Sequence, residues 1–249
     1  MDDPTPPRGI IAIIRYIDRE SGTVTPTHLS GAKEHTVEFI SYSEAWPALQ
    51  LQGLEEADRN DRELHLGLLE DERGVVIDVA ANDHRLAATL PGTVLRVPRE
   101  AMPAIVEGVV HKLRIDPVLL IPVGHWRDVF DAVSFEMAEN APWKAIDQMA
   151  SVELNTRDPL LLGPGDHHTL RDLVRALLKA GSNDTQGISV AATGTKILIE
   201  VLPCGQMIVF AGNPHLGAQV REVIDHAAAN GPGTPSPDSE KRAPQRPHS

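Results

Sequence analysis

The chain has 249 residues, 41% hydrophobic and 23% charged, enough for a real core in one large domain or two small ones. Its formal charge of −12, from 35 acidic and 23 basic residues, argues against nucleic acid or an anionic membrane as partner, since both need a basic face. The run Ile10-Ile11-Ala12-Ile13-Ile14 is far shorter than the roughly 20 residues of a membrane span. It follows an acidic start, Asp2-Asp3, where a secretory signal would be basic, and the single cysteine, Cys204, excludes an internal disulfide or a thiolate zinc cluster. The expectation is a soluble, acidic, cytoplasmic protein.

Residues 1–8 and the Pro-rich tail 231–249 read as disordered, because neither holds enough apolar residues to offset the entropy of ordering. Between them the sequence predicts an α+β fold of antiparallel strands flanked by amphipathic helices. Ile10 to Ile17 reads as a strand, and His35 to Ile40 as another with Val37 and Phe39 on one face. Ser43 then caps a helix through Trp46, Leu49 and Leu54, limited or kinked by Pro47. A meander follows: Leu64, Leu66 and Leu68 alternate, Asp71-Glu72-Arg73-Gly74 turns, and Val75 to Val79 returns. Arg85 to Thr89 and Thr93 to Val97 read as further strands, split by Pro91-Gly92, before a helix on Ile105, Val106, Val109, Val110 and Leu113.

The distal half repeats that order. Leu170, Leu173, Val174, Leu177 and Leu178 form the apolar stripe of a helix over His168 to Ala180, with Gly181 as its left-handed stop. Strands are predicted over Ile188 to Ala192, Ile197 to Val201 and Met207 to Phe210. A last helix is opened by Asn213-Pro214 and carries Leu216, Val220, Val223, Ile224 and Ala227 inward. This suggests two related α+β units, 9–115 and 116–230. Asp116-Pro117-Val118-Leu119-Leu120-Ile121-Pro122 also aligns with Asp158-Pro159-Leu160-Leu161-Leu162-Gly163-Pro164, each heading a strand, a turn and a helix, so an internal duplication is possible.

Asp166-His167-His168 is the most conspicuous polar cluster, placed where a strand ends and a helix begins. Aspartate and histidine are metal-ligand types, which opens a metal-dependent hydrolase as one reading. The triplet is similar to the signature of the DHH phosphoesterases, but that family adds aspartates from an N-terminal strand motif, and Asp2, Asp3 and Asp18 form no such motif. Adjacent helical side chains also diverge by about 100°. The competing reading is a helix start, with Asp166 or Thr169 as cap, Asp172 paired with Thr169, and solvated imidazoles. His125 and Trp126 occupy the corresponding place in the first copy, either as a small binding site or as a core tryptophan with a polar flank.

Phosphate-cradling glycine loops and the G-x-S-x-G nucleophile motif are absent, and Gly163-Pro164-Gly165 has proline where a cradle needs an N–H. Cys204 lies in a Pro-Cys-Gly turn, and Glu55-Glu56 and Glu70-Asp71-Glu72 read as solvated faces. The sequence therefore points first to a non-enzymatic protein-binding module without a cofactor, of adaptor, inhibitor or immunity type, whose acidic surface steers toward a basic partner. Its candidate binding residues are Asp166, His167, His168, His125 and Trp126. A metal-dependent hydrolase centred on Asp166, His167 and His168 is the alternative.

Overall fold

The computed structural model describes residues 37–84, 94–150, 156–163 and 166–229. The expected strands at 10–17 and 85–89 and both expected disordered ends lie outside these residues. The described chain is α+β: one eight-stranded sheet, a separate β-hairpin and six α-helices.

In chain order the elements are β1 (Val37–Phe39), α1 (Tyr42–Leu51), β2 (Leu54–Arg59), β3 (Leu64–Leu68), β4 (Val75–Ala81), β5 (Leu95–Val97), α2 (Met102–Lys112), β6 (Val118–Pro122), α3 (Trp126–Val133), α4 (Ala141–Ala150), β7 (Leu160–Leu162), α5 (His167–Ala180), β8 (Ile188–Ala192), β9 (Ile197–Leu202), β10 (Gln206–Ala211) and α6 (Pro214–Ala229). The large sheet runs β1-β7-β6-β8-β9-β10-β4-β5, with β2 and β3 pairing only with each other. Every neighbouring pair in it is antiparallel except β4 with β5. The division expected at 115/116 falls inside this one sheet: the earlier half supplies β1, β4 and β5, and the later half the five strands between β1 and β4.

Alternation of side chains along each strand gives the sheet two different faces. One is covered by helices. Val79, Val118, Leu120, Leu160, Leu162, Val190, Ile199 and Val209 pack there against Ile105 and Val109 of α2, Trp126 and Val129 of α3, Leu170, Leu173, Val174 and Leu177 of α5, and Val220 and Ile224 of α6. The second, smaller core puts α1 (Ala45, Leu49) and the hairpin (Leu54, Leu64, Leu66, Leu68) over Leu119, Ile121, Leu161, Ala191 and Leu198.

Several local expectations are corrected. The helix opened near Ser43 ends at Leu51, because Gly53 turns the chain at φ +82°, a region open to glycine, and Leu54 becomes the first residue of β2. Gly181 ends α5 in an extended conformation (φ −69°, ψ 147°) rather than a left-handed one. Helix α4 was not anticipated; its start is marked by Asn140, whose Oδ1 accepts the Trp143 N–H at 2.9 Å.

The segments 116–122 and 158–164 supply β6 and β7, which pair directly, Val118 opposite Leu162 and Leu120 opposite Leu160. Each is followed by a helix on the same face, α3 and α5, and these two helices pack together. The correspondence stops there. β6 lies between β7 and β8, whereas β7 lies between β6 and the edge strand β1, and a duplication is not shown by the strand order.

Candidate functional site

The structure separates the side chains of Asp166, His167 and His168. His167 is 7% exposed, and its ring meets His111 of α2 edge-on, with centroids 5.2 Å apart. His168 is exposed and lines a different groove, with Glu136, Asn140, Asp172 and Arg175. Asp166 is buried at the N-cap position, and its side chain makes no capping bond; Asp172 bonds Arg175 and Asn140 instead of completing a pair with Thr169. The expected cap does not form. Asp166 N–H bonds Gly163 O at 3.0 Å and the helix begins at His167, which leaves Thr169 inside the first helical turn. Among the described residues no group of three or more His, Cys, Asp and Glu side chains is arranged to hold a metal ion.

Both ring nitrogens of His167 lack a hydrogen-bond partner among the described residues. Burial, reinforced by His111, holds its pKa below the ordinary 6.5, against the opposing pull of Asp116, Asp166 and Glu107. The folded protein thus resists a proton that the unfolded chain accepts. Stability is complete above pH 6.5 and is lost as pH falls through the lower folded value. Replacing this imidazole by an apolar ring, His167→Phe, is expected to flatten the acid-side loss and to raise stability near neutrality by up to about 1 kcal/mol. Thermal denaturation at pH 5 and 7.5 checks this, and an unchanged slope between wild type and variant would contradict it.

His125 and Trp126 open α3. The His125 N–H donates to Asp128 Oδ2 at 3.1 Å, which closes the first turn. Trp126 is buried, donates Nε1–H to Asp158 O at 2.7 Å, and packs edge-on against Phe39 and Phe130. Gly124 just before it has to be glycine, since a Cβ there would lie 2.4 Å from Thr185 O. Cys204 is half-buried, and burial pushes its thiol above the ordinary value, which disfavours the reactive thiolate.

A separate, partly exposed surface lies where the hairpin layer ends on the sheet. Two cross-strand rows show the step. Ala191, Leu198, Phe210 and Val76 stand side by side across β8, β9, β10 and β4. The first two are buried beneath the hairpin layer, Phe210 is partly exposed and Val76 is 38% exposed. The next row is Ser189, Glu200, Ile208 and Asp78, and it passes from buried to partly exposed in the same direction. The second face over β10 and β4 is thus an apolar strip of Ile208, Phe210 and Val76 beside Asp78.

The hairpin forms the wall of this step. Leu64, Leu66 and Leu68 point into the core, so His65 and Gly67 fall on the opposite face, with Glu55 paired to Gly67. Arg73 lies over the Phe210 ring, 5.9 Å from its centroid, donates to Leu68 O from both Nε and Nη2, and approaches Glu55 at 3.5 Å. Glu55, Leu69, Glu70, Asp71 and Arg73 line one shallow groove. Leu69 is 38% exposed and its N–H bonds Gly53 O, which brings the 82% exposed Leu51 at the end of α1 to the same end of the molecule. Glu72 lies against Gly53 and pairs with Lys196. Among the described residues, Leu69 and Val76 are exposed apolar side chains on the two sides of the Arg73–Phe210 contact, and Leu51 precedes the Gly53 that bonds Leu69; the carboxylates of Glu55, Glu70, Asp71 and Asp78 make an acidic rim beside them.

A second groove on the helical face, between α2, α5 and α6, is floored by Ala101, Ala104 and Gly108. Its basic side chains are engaged internally: Lys112 with Glu222 at 3.1 Å, Arg171 with Glu107 at 3.2 Å and Arg175 with Asp172 at 2.7 Å. No helix among the described residues is long and apolar enough to cross a membrane. Compared with protein-family models, with curated proteins and with solved structures, the chain matches none of them.

Proposed function

We propose that the protein is a protein-binding module, acting in the cytoplasm in an adaptor, inhibitor or immunity-type role, and that its docking surface is the step between the β2–β3 hairpin and the open half of the sheet. The observation that carries this reading is the exposed Leu69 and Val76 on either side of the partly exposed Phe210 and its Arg73, beside the carboxylates of Glu55, Glu70, Asp71 and Asp78. Exposed apolar clusters with polar surrounds mark interaction surfaces, and an aromatic at the centre is the usual anchor. The rim carboxylates select a partner that presents basic groups around an apolar centre, in keeping with the net charge of −12. This surface replaces the Asp166-His167-His168 and His125-Trp126 positions as the favoured binding site, because the side chains of those residues are divided between core and separate surfaces.

The test is capture from the native host's extract on immobilised protein, with cross-links mapped by mass spectrometry. Wild type is expected to retain a discrete basic protein cross-linked near residues 69–76 and 206–210. Leu69→Arg combined with Val76→Arg changes only exposed positions and should cost no more than about 0.5 kcal/mol of stability. It is expected to weaken retention at least about tenfold. Raising salt from about 0.1 to 0.5 M should shorten retention on wild type, as the rim charges are screened. Equal retention by the double variant, or cross-links confined to the helical face, would refute this surface.

A further inference from the structure

The wall of the step holds a polar contact that the docking surface itself does not use. Glu200 projects from β9 in the middle of the sheet and is only 4% exposed. His65 Nδ1 lies 3.0 and 3.1 Å from its two carboxylate oxygens, and since a carboxylate only accepts, Nδ1 carries the proton. Two further carboxylates stand near the ring. Glu63 on the same hairpin lies 3.9 Å from Nε2, and Asp58 stands directly across the hairpin from His65. Ser189, the cross-strand neighbour of Glu200, has a buried hydroxyl without a hydrogen-bond partner among the described residues. It leaves His65 as the group that answers Glu200.

We infer that His65 and Glu200 form a proton-controlled latch that fastens the outer face of the hairpin to the edge of the open strip, so that the docking step is held rigid while His65 is charged and loosens as pH rises. This rests on the docking reading above, because the hairpin is one wall of that surface. The geometry places three carboxylates around one imidazole, and the bond to Glu200 is the largest influence raising the His65 pKa above 6.5, ahead of the opposing effect of burial. A base whose folded value is raised contributes stability that is complete below the unfolded value of 6.5 and is lost as pH climbs through the folded one. The latch is therefore strongest below pH 6.5 and weakens as pH climbs through the raised folded value, where the charge is lost and only a neutral hydrogen bond can remain. Leu64, Leu66 and Leu68 keep the hairpin in contact with its core throughout, so the change is a local loosening and not a detachment.

Hydrogen exchange on the full chain reads this without any partner, by comparing peptides from 54–68 with peptides from 188–202 between about pH 6 and pH 9, corrected for intrinsic exchange. Wild type is expected to show hairpin opening that rises several-fold with pH while the central strands stay constant. In His65→Gln the hairpin should open readily at both pH values, and the protection of 188–202 reports that this variant is folded. Opening in wild type that does not change with pH, or an equal rise in His65→Gln, would overturn the latch. So would a His65 ring resonance that titrates below an unhindered histidine, measured by NMR on wild type alone. Failure of the capture experiment would remove the docking surface and leave the exchange result standing, so the two ideas fail separately.

Discussion

Replacing Trp126 by alanine is expected to destabilise the protein by about 3–5 kcal/mol, the range for truncating a large buried aromatic. Trp126 is 1% exposed and joins three elements: its ring meets Phe39 of β1 at 5.7 Å and Phe130 of α3 at 6.0 Å, and Phe130 stacks in turn on Trp143 of α4 at 4.6 Å. The variant also strands Asp158 O, which accepts the indole N–H at 2.7 Å just before β7. Trp126→Phe keeps most of the aromatic packing but not that bond, so it is expected to cost roughly 1–3 kcal/mol. Chemical denaturation of the three proteins checks the series. A loss below about 1 kcal/mol for Trp126→Ala would show that α3 and the β1–β7 edge are not coupled through this ring, and that His125-Trp126 deserves reconsideration as a ligand site.

Much of the frame was legible because several segments are strongly periodic. The α5 stripe from Leu170 to Leu178 and the run of β8, β9 and β10 stand close to where alternation placed them, and Asn213-Pro214 opens α6 as capping chemistry requires. What failed was what distant residues decide. β2, Leu-Glu-Glu-Ala-Asp-Arg, has a single large apolar side chain, so spacing assigns Leu54 to the preceding helix and Glu55-Glu56 to a solvated face; it is a strand because Leu54 enters the second core and β3 supplies its partners. The divergence of His167 from His168 was legible, since neighbouring helical positions point about 100° apart. The docking step was not. Alternation in β4 does put Val76 and Asp78 opposite Ile77 and Val79, but nothing local says that the covering hairpin stops short of β10. The acidic runs Glu55-Glu56 and Glu70-Asp71-Glu72, read as solvated faces, prove to hold specific partners as well: Glu56 accepts from Tyr42 Oη and Arg59, Glu55 lies near Arg73, and Glu72 pairs with Lys196. His65 and Glu200 are 135 residues apart, and no spacing rule connects them.

Removing the imidazole of that pair is expected to be the other large effect. His65→Leu leaves the Glu200 carboxylate buried beside Ser189, whose hydroxyl has no partner among the described residues, and breaking a buried pair from one side costs about 3–5 kcal/mol. His65 is itself partly exposed, so water can approach the vacated side and the loss should fall near the lower end, about 3 kcal/mol. Glu200→Leu removes the desolvated charge instead and leaves a histidine that solvent can reach, so it should cost clearly less. The double change, His65→Leu with Glu200→Leu, exchanges the pair for apolar contact beside Ile208, and is expected to recover most of what His65→Leu loses. The pH dependence gives the sign. Because the raised His65 pKa contributes stability below 6.5 that fades as pH rises, the penalty for His65→Leu should be greater near pH 6 than near pH 9. Denaturant titrations of the four proteins at both pH values form the cycle. Additive losses that do not vary with pH would mean that the two side chains act independently and that the hairpin is held by its leucines alone.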